Sequence, residues 1–243
     1  MRLLLTRPIT GDDRLEALLR SGGHNVVVEP LLTIEQLPCG PIEAAGLQAV
    51  VATSSNALRA LGQNMQLNGL PLFAVGAATA RLAREHGFNT VVEGQAGAGE
   101  LAELLIASLK PGRGAVLYLR GEDVAFDLDA ALQTAGLTVD SRRIYRAVPA
   151  KGLSASTTAS LTAGGFEGIV LMSPRTAEIY LRLADHAGVL VRLQGLVHFC
   201  ISNRVAAPLI AKGLGRVCVP ARPSLQELVA LIELEATHSR SSA

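Results

Sequence analysis

The stretch Val116-Leu-Tyr-Leu-Arg-Gly121 is a short apolar run ending in a polar turn, and the amphipathic stretch Leu128-Asp-Ala-Ala-Leu-Gln-Thr-Ala-Gly136 follows it. The run is typical of a buried strand, and the second stretch of a helix that ends at a glycine. A similar pair, Leu3-Leu-Leu-Thr-Arg-Pro8 and Leu15-Glu-Ala-Leu-Leu-Arg-Ser-Gly22, begins the chain. Each pair leads into a further apolar run, so each predicts a β-α-β unit.

The same alternation continues along the chain. Helix-patterned stretches separate most of the β-branched or apolar runs, which indicates parallel sheets and the α/β class. The runs predicted to be strands are 3–6, 25–28, 49–52, 72–75, 90–93, 115–119, 138–145, 168–172, 197–201 and 216–219.

Later segments also repeat, in the same order. Val50-Val-Ala-Thr-Ser-Ser-Asn-Ala57 resembles Ile169-Val-Leu-Met-Ser-Pro-Arg-Thr-Ala177, and Leu72-Phe-Ala-Val-Gly-Ala-Ala-Thr-Ala80 resembles Phe199-Cys-Ile-Ser-Asn-Arg-Val-Ala206. Each set supplies enough strands for one flavodoxin-like sheet, which favours an internal duplication. The alternative is that any two α/β halves share such patterns.

Two segments interrupt the alternation. Residues 29–40 contain two prolines and no helix period, and residues 146–156 change from a strand pattern to small polar residues. Both are interpreted as connectors at which the chain changes domain. One domain would then combine the first repeat with the end of the chain, although two contiguous halves remain the simpler alternative.

Composition excludes several classes of function. Lys and Arg total 22 and Asp and Glu 21, and a net charge of +1 offers little attraction for a nucleic-acid backbone. Aromatic residues make up 3% of the chain, with no Trp, so a base-stacking platform is not expected. No apolar run reaches the ~20 residues that span a bilayer, and the start lacks a secretory cleavage pattern. We therefore expect a cytoplasmic protein without nucleic-acid or membrane partners.

The sequence lacks the common cofactor and hydrolase motifs GxGxxG, GxxxxGK[ST] and GxSxG. Cys39, Cys200 and Cys218 lie far apart, and the 5 histidines never fall at metal-ligand spacing, so no metal site is expected. His198 lies within an apolar run and is interpreted as a core or edge residue rather than as a catalytic base.

Polar residues follow many of the predicted strands. Ligands of open parallel sheets bind beyond the carboxyl ends of strands, where N–H groups of the following helices point outward. On two domains facing one cleft, these turns would suit a ligand with several anionic groups, although each Ser or Thr is also an ordinary helix cap. The turns are Thr6-Arg7-Pro8, Thr53-Ser54-Ser55-Asn56, Gly76-Ala77-Ala78-Thr79, Arg120-Gly121-Glu122, Ser173-Pro174-Arg175-Thr176 and Ser202-Asn203-Arg204.

In their order and spacing, these motifs resemble the uroporphyrinogen-III synthase family over about residues 2–235. The motifs that carry the resemblance are Leu5-Thr-Arg-Pro8, Thr53-Ser54, Val75-Gly-Ala-Ala-Thr-Ala80, Leu119-Arg-Gly121, Ile144-Tyr145, Met172-Ser-Pro-Arg175, Cys200-Ile-Ser202 and Pro220-Ala-Arg-Pro-Ser224. The sequence departs from many relatives at Arg204-Val205 and at 124–126.

The resemblance implies two flavodoxin-like domains, with parallel sheets flanked by helices and joined by a two-stranded connector. Their boundaries would be residues 1–35 with 152–243, and 36–151. Family members are lyases of porphyrin and heme biosynthesis. They convert the linear tetrapyrrole hydroxymethylbilane to uroporphyrinogen III, with loss of water and inversion of the last pyrrole ring. No metal or organic cofactor is implied, and we expect a monomer.

The resemblance also implies roles for individual residues. Tyr145, at the family's Val/Ile-Tyr motif, is expected to be catalytic and to hydrogen-bond the leaving hydroxyl. The residues expected to bind the substrate are Arg7, Ser54, Thr79, Arg120, Ser173 and Ser202. The alternative function is a non-catalytic small-anion binding module of the periplasmic-binding type, which would have similar sheets and a similar cleft.

Overall fold

The computed structural model describes residues 1–8, 14–94 and 97–241. The chain divides into two compact units: unit 1 comprises Met1–Thr33 with Val148–Ala243, and unit 2 comprises Ile34–Ala147. The chain therefore leaves unit 1 once and returns to it once.

Strands and helices alternate along the chain, as the sequence predicts. The strands are β1 (Arg2–Leu5), β2 (Asn25–Val28), β3 (Leu32–Gln36), β4 (Leu47–Ala52), β5 (Leu72–Val75), β6 (Val91–Gly94), β7 (Ala115–Gly121), β8 (Val139–Pro149), β9 (Gly168–Leu171), β10 (Val197–Cys200) and β11 (Val217–Cys218). The α-helices are α1 (Arg14–Ser21), α2 (Ser55–Leu61), α3 (Gly76–Glu85), α4 (Ala98–Ser108), α5 (Leu128–Thr134), α6 (Ala155–Thr162), α7 (Pro174–His186), α8 (Asn203–Ala211) and α9 (Leu225–Ser241).

The strands form two sheets, and each has the strand order of a flavodoxin-like fold. One sheet has the order β2-β1-β9-β10-β11 and the other β3-β8-β7-β4-β5-β6. The paired strands from β2 to β11 in the first sheet, and from β8 to β6 in the second, are parallel. If β7 is taken as the first strand of the second sheet and the additional edge strand β3 is left aside, both sheets follow the order 2-1-3-4-5. The predicted α/β class with parallel sheets is confirmed.

The pairing of the repeated segments is interleaved. The first repeat, β1-α1-β2, pairs through β1 with β9 near the end of the chain, and its counterpart, β7-α5-β8, pairs through β7 with β4. The segment 29–40, whose sequence shows no helix period, contains β3, and β3 neighbours β8 in the sheet. The two crossings between units fall within these two strands.

Each face of the unit 2 sheet has its own core, because successive strand residues point to opposite faces. Leu117 and Leu119 of β7 pack with residues of α2 and α3, whereas Val116 and Tyr118 pack with residues of α4 and α5. Each fully buried Leu or Val side chain contributes about 2 kcal/mol through the hydrophobic effect. Among the described residues, no helix has the length and apolar character needed to cross a membrane.

Candidate active site

A cavity of about 280 Å³ opens at the carboxyl ends of β4, β5 and β7 in unit 2. The strand order reverses between β4 and β7, since β4 leads to β5 on one side and β7 leads to β8 on the other. This is the topological switch point at which open parallel sheets bind their ligands. The cavity is lined by Thr53, Ser54, Val75, Ala98, Tyr118, Gly121, Asp123, Val124, Ala125, Phe126 and Tyr145.

Tyr145 reaches this cavity because β8 carries an extra residue. Up to Arg120 the register with β8 is regular, but the next residue, Gly121, pairs with Tyr145 and skips Ile144. Ile144 and Tyr145 consequently pack against the same core cluster, although neighbouring strand residues normally face opposite sides. The Glu122 N–H donates a hydrogen bond of 2.9 Å to the Tyr145 carbonyl and holds the β8 backbone here.

A second phenol, Tyr118 of β7, lines the same cavity. Its side chain is buried, and its hydroxyl lies 3.4 Å from the Thr53 hydroxyl. Burial raises the pKa of Tyr118, and the hydrogen bond with Thr53 offsets this rise only in part. Tyr118 therefore stays protonated at neutral pH and can act there only as a neutral donor or acceptor.

Ser54 caps a helix and also faces the cavity. Its Oγ accepts a hydrogen bond of 3.2 Å from the Asn56 N–H and so caps α2. Its side chain also lines the cavity beside Thr53. A serine hydroxyl accepts and donates at once, so the capping bond leaves the O–H proton available to a ligand.

Much of the remaining lining is apolar and partly exposed. Val124 is 46% exposed and Phe126 is 40% exposed, and both lie in the turn after β7. Exposed apolar side chains beside a few convergent polar groups are typical of a small-molecule site. The cavity thus combines a surface for an apolar ring with hydroxyl groups that can orient polar substituents.

Two predicted site residues of unit 2 lie outside the lining of this cavity. Arg120 Nε donates to Ser141 Oγ at 2.9 Å and lies 3.6 Å from Asp129 Oδ2. Arg120 borders a neighbouring depression that shares Phe126 with the cavity. Thr79 lies one turn into α3, and only 4% of it is exposed. The structure therefore brings Tyr145 and Ser54 together, but not Arg120 or Thr79.

The other predicted residues belong to unit 1, at the carboxyl ends of β1, β9 and β10. Ser173 caps α7 by accepting a hydrogen bond of 3.1 Å from the Thr176 N–H, and its Oγ lies 2.7 Å from Thr176 Oγ1. Ser202 begins α8 without a side-chain capping bond, and Arg7 is half-buried after β1.

Sequence reasoning missed several residues that line the cavity. Tyr118 lies inside an apolar run, and the sequence pattern identifies it only as part of a strand. The hydroxyl of a buried tyrosine usually needs a polar partner, and this need could have indicated a polar group nearby. Val124 and Phe126 follow a strand that ends in a predicted ligand-binding turn. Gly121 lies within that turn, but its relation to Tyr145 depends on the register.

His198 occupies the core of unit 1, as predicted. It is fully buried, and its Nε2 lies 3.3 Å from the Tyr180 hydroxyl. Burial lowers the pKa of His198 to about 4, so the ring is neutral at pH 7. Within residues 1–8, 14–94 and 97–241, no three His, Cys, Asp or Glu side chains cluster as a metal site would require.

Solved structures show a similar fold. Uroporphyrinogen-III synthetase from Helicobacter pylori 26695 has a TM-score of 0.64 and 19% identity, covering 98% of this chain and 99% of that chain. A mutant uroporphyrinogen III synthase from the extremely thermophilic bacterium Thermus thermophilus has a TM-score of 0.56 and 17% identity, covering 99% of this chain and 100% of that chain. No curated protein sequence matches the chain.

The model of one protein family, described as uroporphyrinogen-III synthase HemD, matches residues 13–230. The match includes β4 to β8 and the whole cavity lining of unit 2, as well as the candidate residues Ser173 and Ser202 of unit 1. Because it spans most of the chain, the chain belongs to the uroporphyrinogen-III synthase family, whose members are hydro-lyases of tetrapyrrole biosynthesis.

Proposed function

We propose that the protein cyclises hydroxymethylbilane to uroporphyrinogen III, with Tyr145 as its catalytic residue. Membership of the family makes it a uroporphyrinogen-III synthase of tetrapyrrole biosynthesis. The observation that carries the proposed site is the Tyr145 side chain in a cavity at the switch point of the unit 2 sheet. Apolar side chains and hydroxyl groups in that cavity match a pyrrole ring with polar substituents.

The reaction begins when the carbon–oxygen bond of the hydroxymethyl group breaks. The pyrrole nitrogen supplies the electron pair that pushes out the hydroxyl, which takes up a proton from solvent and leaves as water. A neutral phenol is a weak acid, so the Tyr145 hydroxyl donates a hydrogen bond to the leaving oxygen rather than the proton itself. The last pyrrole ring attacks the cationic azafulvene through the ring carbon that already carries its methylene bridge, which gives a spiro centre. The original bridge bond then breaks and leaves a second azafulvene, and the other, free carbon of the inverted ring closes onto it with release of one proton to solvent.

The protein's main task is to control the shape of a flexible chain. Direct closure without a catalyst gives the uninverted isomer, so binding must favour the geometry that leads to inversion. Ser54 retains a free O–H for a substrate carboxylate at the Tyr145 cavity. Arg7, Ser173 and Ser202 are proposed to contact other substrate carboxylates, at the C-terminal ends of the unit 1 strands.

Thr79 and Arg120 are weaker candidates for binding the substrate. Thr79 is buried, and the guanidinium of Arg120 already contacts Ser141 and Asp129, with which a carboxylate would have to compete. We further propose that residues 1–35 with 152–243, and 36–151, act as two domains of a cytoplasmic monomer.

The test supplies hydroxymethylbilane to the purified protein and separates the uroporphyrinogen isomers by chromatography. We expect the type III isomer to predominate, whereas heat-denatured protein should leave the uninverted isomer of spontaneous closure. Saturable binding with unchanged isomer proportions would support the binding-module alternative and remove the enzyme hypothesis.

A further inference from the structure

Gly121, at the end of β7, is a glycine whose backbone does not require glycine. Its φ angle lies outside the left-handed region that glycine alone adopts easily. A glycine inside a strand weakens the sheet, because it adds no packing and loses more conformational entropy on folding. The glycine at position 121 is therefore explained by its surroundings and not by its own backbone conformation.

The neighbour that explains it is the ring of Tyr145. A Cβ added to Gly121 would lie 2.8 Å from Tyr145 Cζ and 3.0 Å from both Cε2 and Oη. These three atoms are the nearest neighbours of the added Cβ, and each belongs to the hydroxyl end of the phenol. The phenol thus occupies the space that any other residue at position 121 would fill.

The irregular register of β8 brings the ring to this space. Tyr145 pairs with Gly121 only because Ile144 is skipped, and bulges of this kind redirect side chains near functional sites. Both residues line the cavity, and the Glu122 N–H bond to the Tyr145 carbonyl fixes the backbone beside them.

From these contacts we propose that Gly121 is a positioning residue, which seats the Tyr145 hydroxyl in the cavity by leaving its own side-chain space empty. The proposal rests on the role of Tyr145 in the proposed function. A displacement of about 1 Å of a catalytic group can reduce a rate by ~100-fold. Gly121→Ala should therefore displace the hydroxyl and reduce kcat by roughly tenfold or more, with a smaller change in KM.

The displacement can be measured without any assay of activity. The chain has 3 tyrosines and no Trp, so protein labelled with 3-fluorotyrosine should give three ¹⁹F resonances. Tyr145→Phe and Tyr118→Phe each assign one of them, and the third belongs to Tyr180, which is fully buried in unit 1 and supplies an internal reference. We expect Gly121→Ala to shift the Tyr145 resonance and leave that of Tyr180 in place. An unmoved Tyr145 resonance would overturn the proposal.

A double-mutant cycle tests whether Gly121 acts through the Tyr145 hydroxyl. If it does, adding Gly121→Ala to Tyr145→Phe should reduce kcat no further than Tyr145→Phe alone. Independent, multiplicative losses in kcat would show that Gly121 acts by another route and would overturn the proposal.

Gly168 of β9 provides a matched control. A Cβ at Gly168 would lie 2.8 Å from Phe199 Cε2, which is a similar conflict with a ring, but in the core of unit 1. Gly168→Ala should lower stability while the folded protein keeps its kcat. An equal loss of kcat in this variant would mean that general strain, and not the position of Tyr145, explains the effect of Gly121→Ala.

If Gly121→Ala does not fold, the double variant Gly121→Ala/Tyr145→Ala decides the question. Removing the ring removes the conflict, so the double variant should fold, and its failure to fold would overturn the proposal. The proposed function fails separately. Normal turnover by Tyr145→Phe would remove the catalytic role of Tyr145, whatever the ¹⁹F resonances show.

Discussion

The two sheets share one order of parallel strands but differ in how they use their polar residues. In unit 2, Tyr145 and Ser54 open onto a cavity. In unit 1, Thr6 is buried, and its hydroxyl donates to the Val170 carbonyl at 2.9 Å, while His198 lies in the core beside Tyr180. The two sheets therefore have the same topology, but individual side chains determine whether the polar residues of a sheet stabilise the fold or line a cavity.

This difference predicts a division of effects. Changes to buried polar groups of unit 1 should lower the free energy of unfolding and leave turnover by the folded protein unchanged. Removing a hydroxyl from the cavity of unit 2 should lower turnover and leave stability almost unchanged, unless that hydroxyl also caps a helix.

The largest expected effect is on the pH dependence of stability, through His198. Burial lowers the pKa of His198 to about 4, against 6.5 in the unfolded chain, so the unfolded state binds more protons between these values. Stability contributed by the neutral ring is therefore present above pH 6.5 and is lost as the pH falls to 4. The loss should reach about 3 kcal/mol. Urea unfolding at several pH values measures it.

His198→Gln separates this contribution from that of the carboxylates, because glutamine does not titrate. The difference in unfolding free energy between wild type and variant should shrink as the pH falls from 6.5 to 4. A constant difference over that range would show that the histidine contributes no pH dependence.

A smaller loss of stability is expected at Glu29, a buried carboxylate of unit 1. Its Oε1 accepts a hydrogen bond of 2.8 Å from the Ser154 N–H, and its Oε2 accepts bonds of 2.7 and 2.6 Å from the hydroxyls of Ser154 and Thr157. Glu29→Gln places an amide donor against these donors and should destabilise the fold by about 2 kcal/mol. Shifts in the denaturation midpoint measure the loss.

Glu16 supplies the control for Glu29. It forms a surface ion pair with Arg20 on α1, one helical turn apart, and Glu16→Gln should cost less than about 0.5 kcal/mol. Equal midpoints for the two variants would contradict the structural role of Glu29. A loss of kcat in folded Glu29→Gln would contradict the expectation that changes to buried polar groups of unit 1 affect stability alone.

Tyr145→Phe should show the reverse pattern. Removing the phenolic hydroxyl should slow formation of the type III isomer by about tenfold or more, because the leaving oxygen loses its hydrogen-bond donor. Stability should be nearly unchanged, since Tyr145 is only partly buried and the ring remains. Near-normal turnover, measured by isomer chromatography at saturating substrate, would reduce Tyr145 to a packing residue.

Much of this fold could be predicted from the sequence, because buried parallel strands leave short apolar runs between helix patterns. The exception β3, Leu32-Thr-Ile-Glu-Gln36, mixes polar and apolar residues between prolines and was predicted only as part of a connector. Whether β1 pairs with β4 or with β9 could not be decided from the residues, since the repeated segments offer similar partners in both halves.

The site was predicted only in part. Tyr145 and Ser54 follow recognisable motifs, but the seating of Tyr145 against Gly121 depends on one skipped residue in β8. No residue type marks that change of register. Tyr118 was missed because a tyrosine within an apolar run has the same pattern as a core residue, and only the position of Thr53 shows that its hydroxyl reaches the cavity.

The smallest expected effects come from a matched pair of helix caps. Ser54 and Ser173 each accept a hydrogen bond from a backbone N–H, of 3.2 and 3.1 Å, so Ser54→Ala and Ser173→Ala should each cost about 1 kcal/mol of stability. Only Ser54 also lines the Tyr145 cavity, and its alanine variant should raise KM for hydroxymethylbilane severalfold in addition. Ser173 is proposed to contact a substrate carboxylate in unit 1, but its Oγ lies 2.7 Å from Thr176 Oγ1, and this competing contact should make the rise in KM of Ser173→Ala smaller than that of Ser54→Ala. A larger rise in KM for Ser54→Ala would be due to substrate binding, because both variants lose a cap alike. An equal rise for both variants would contradict the expected difference between the two units.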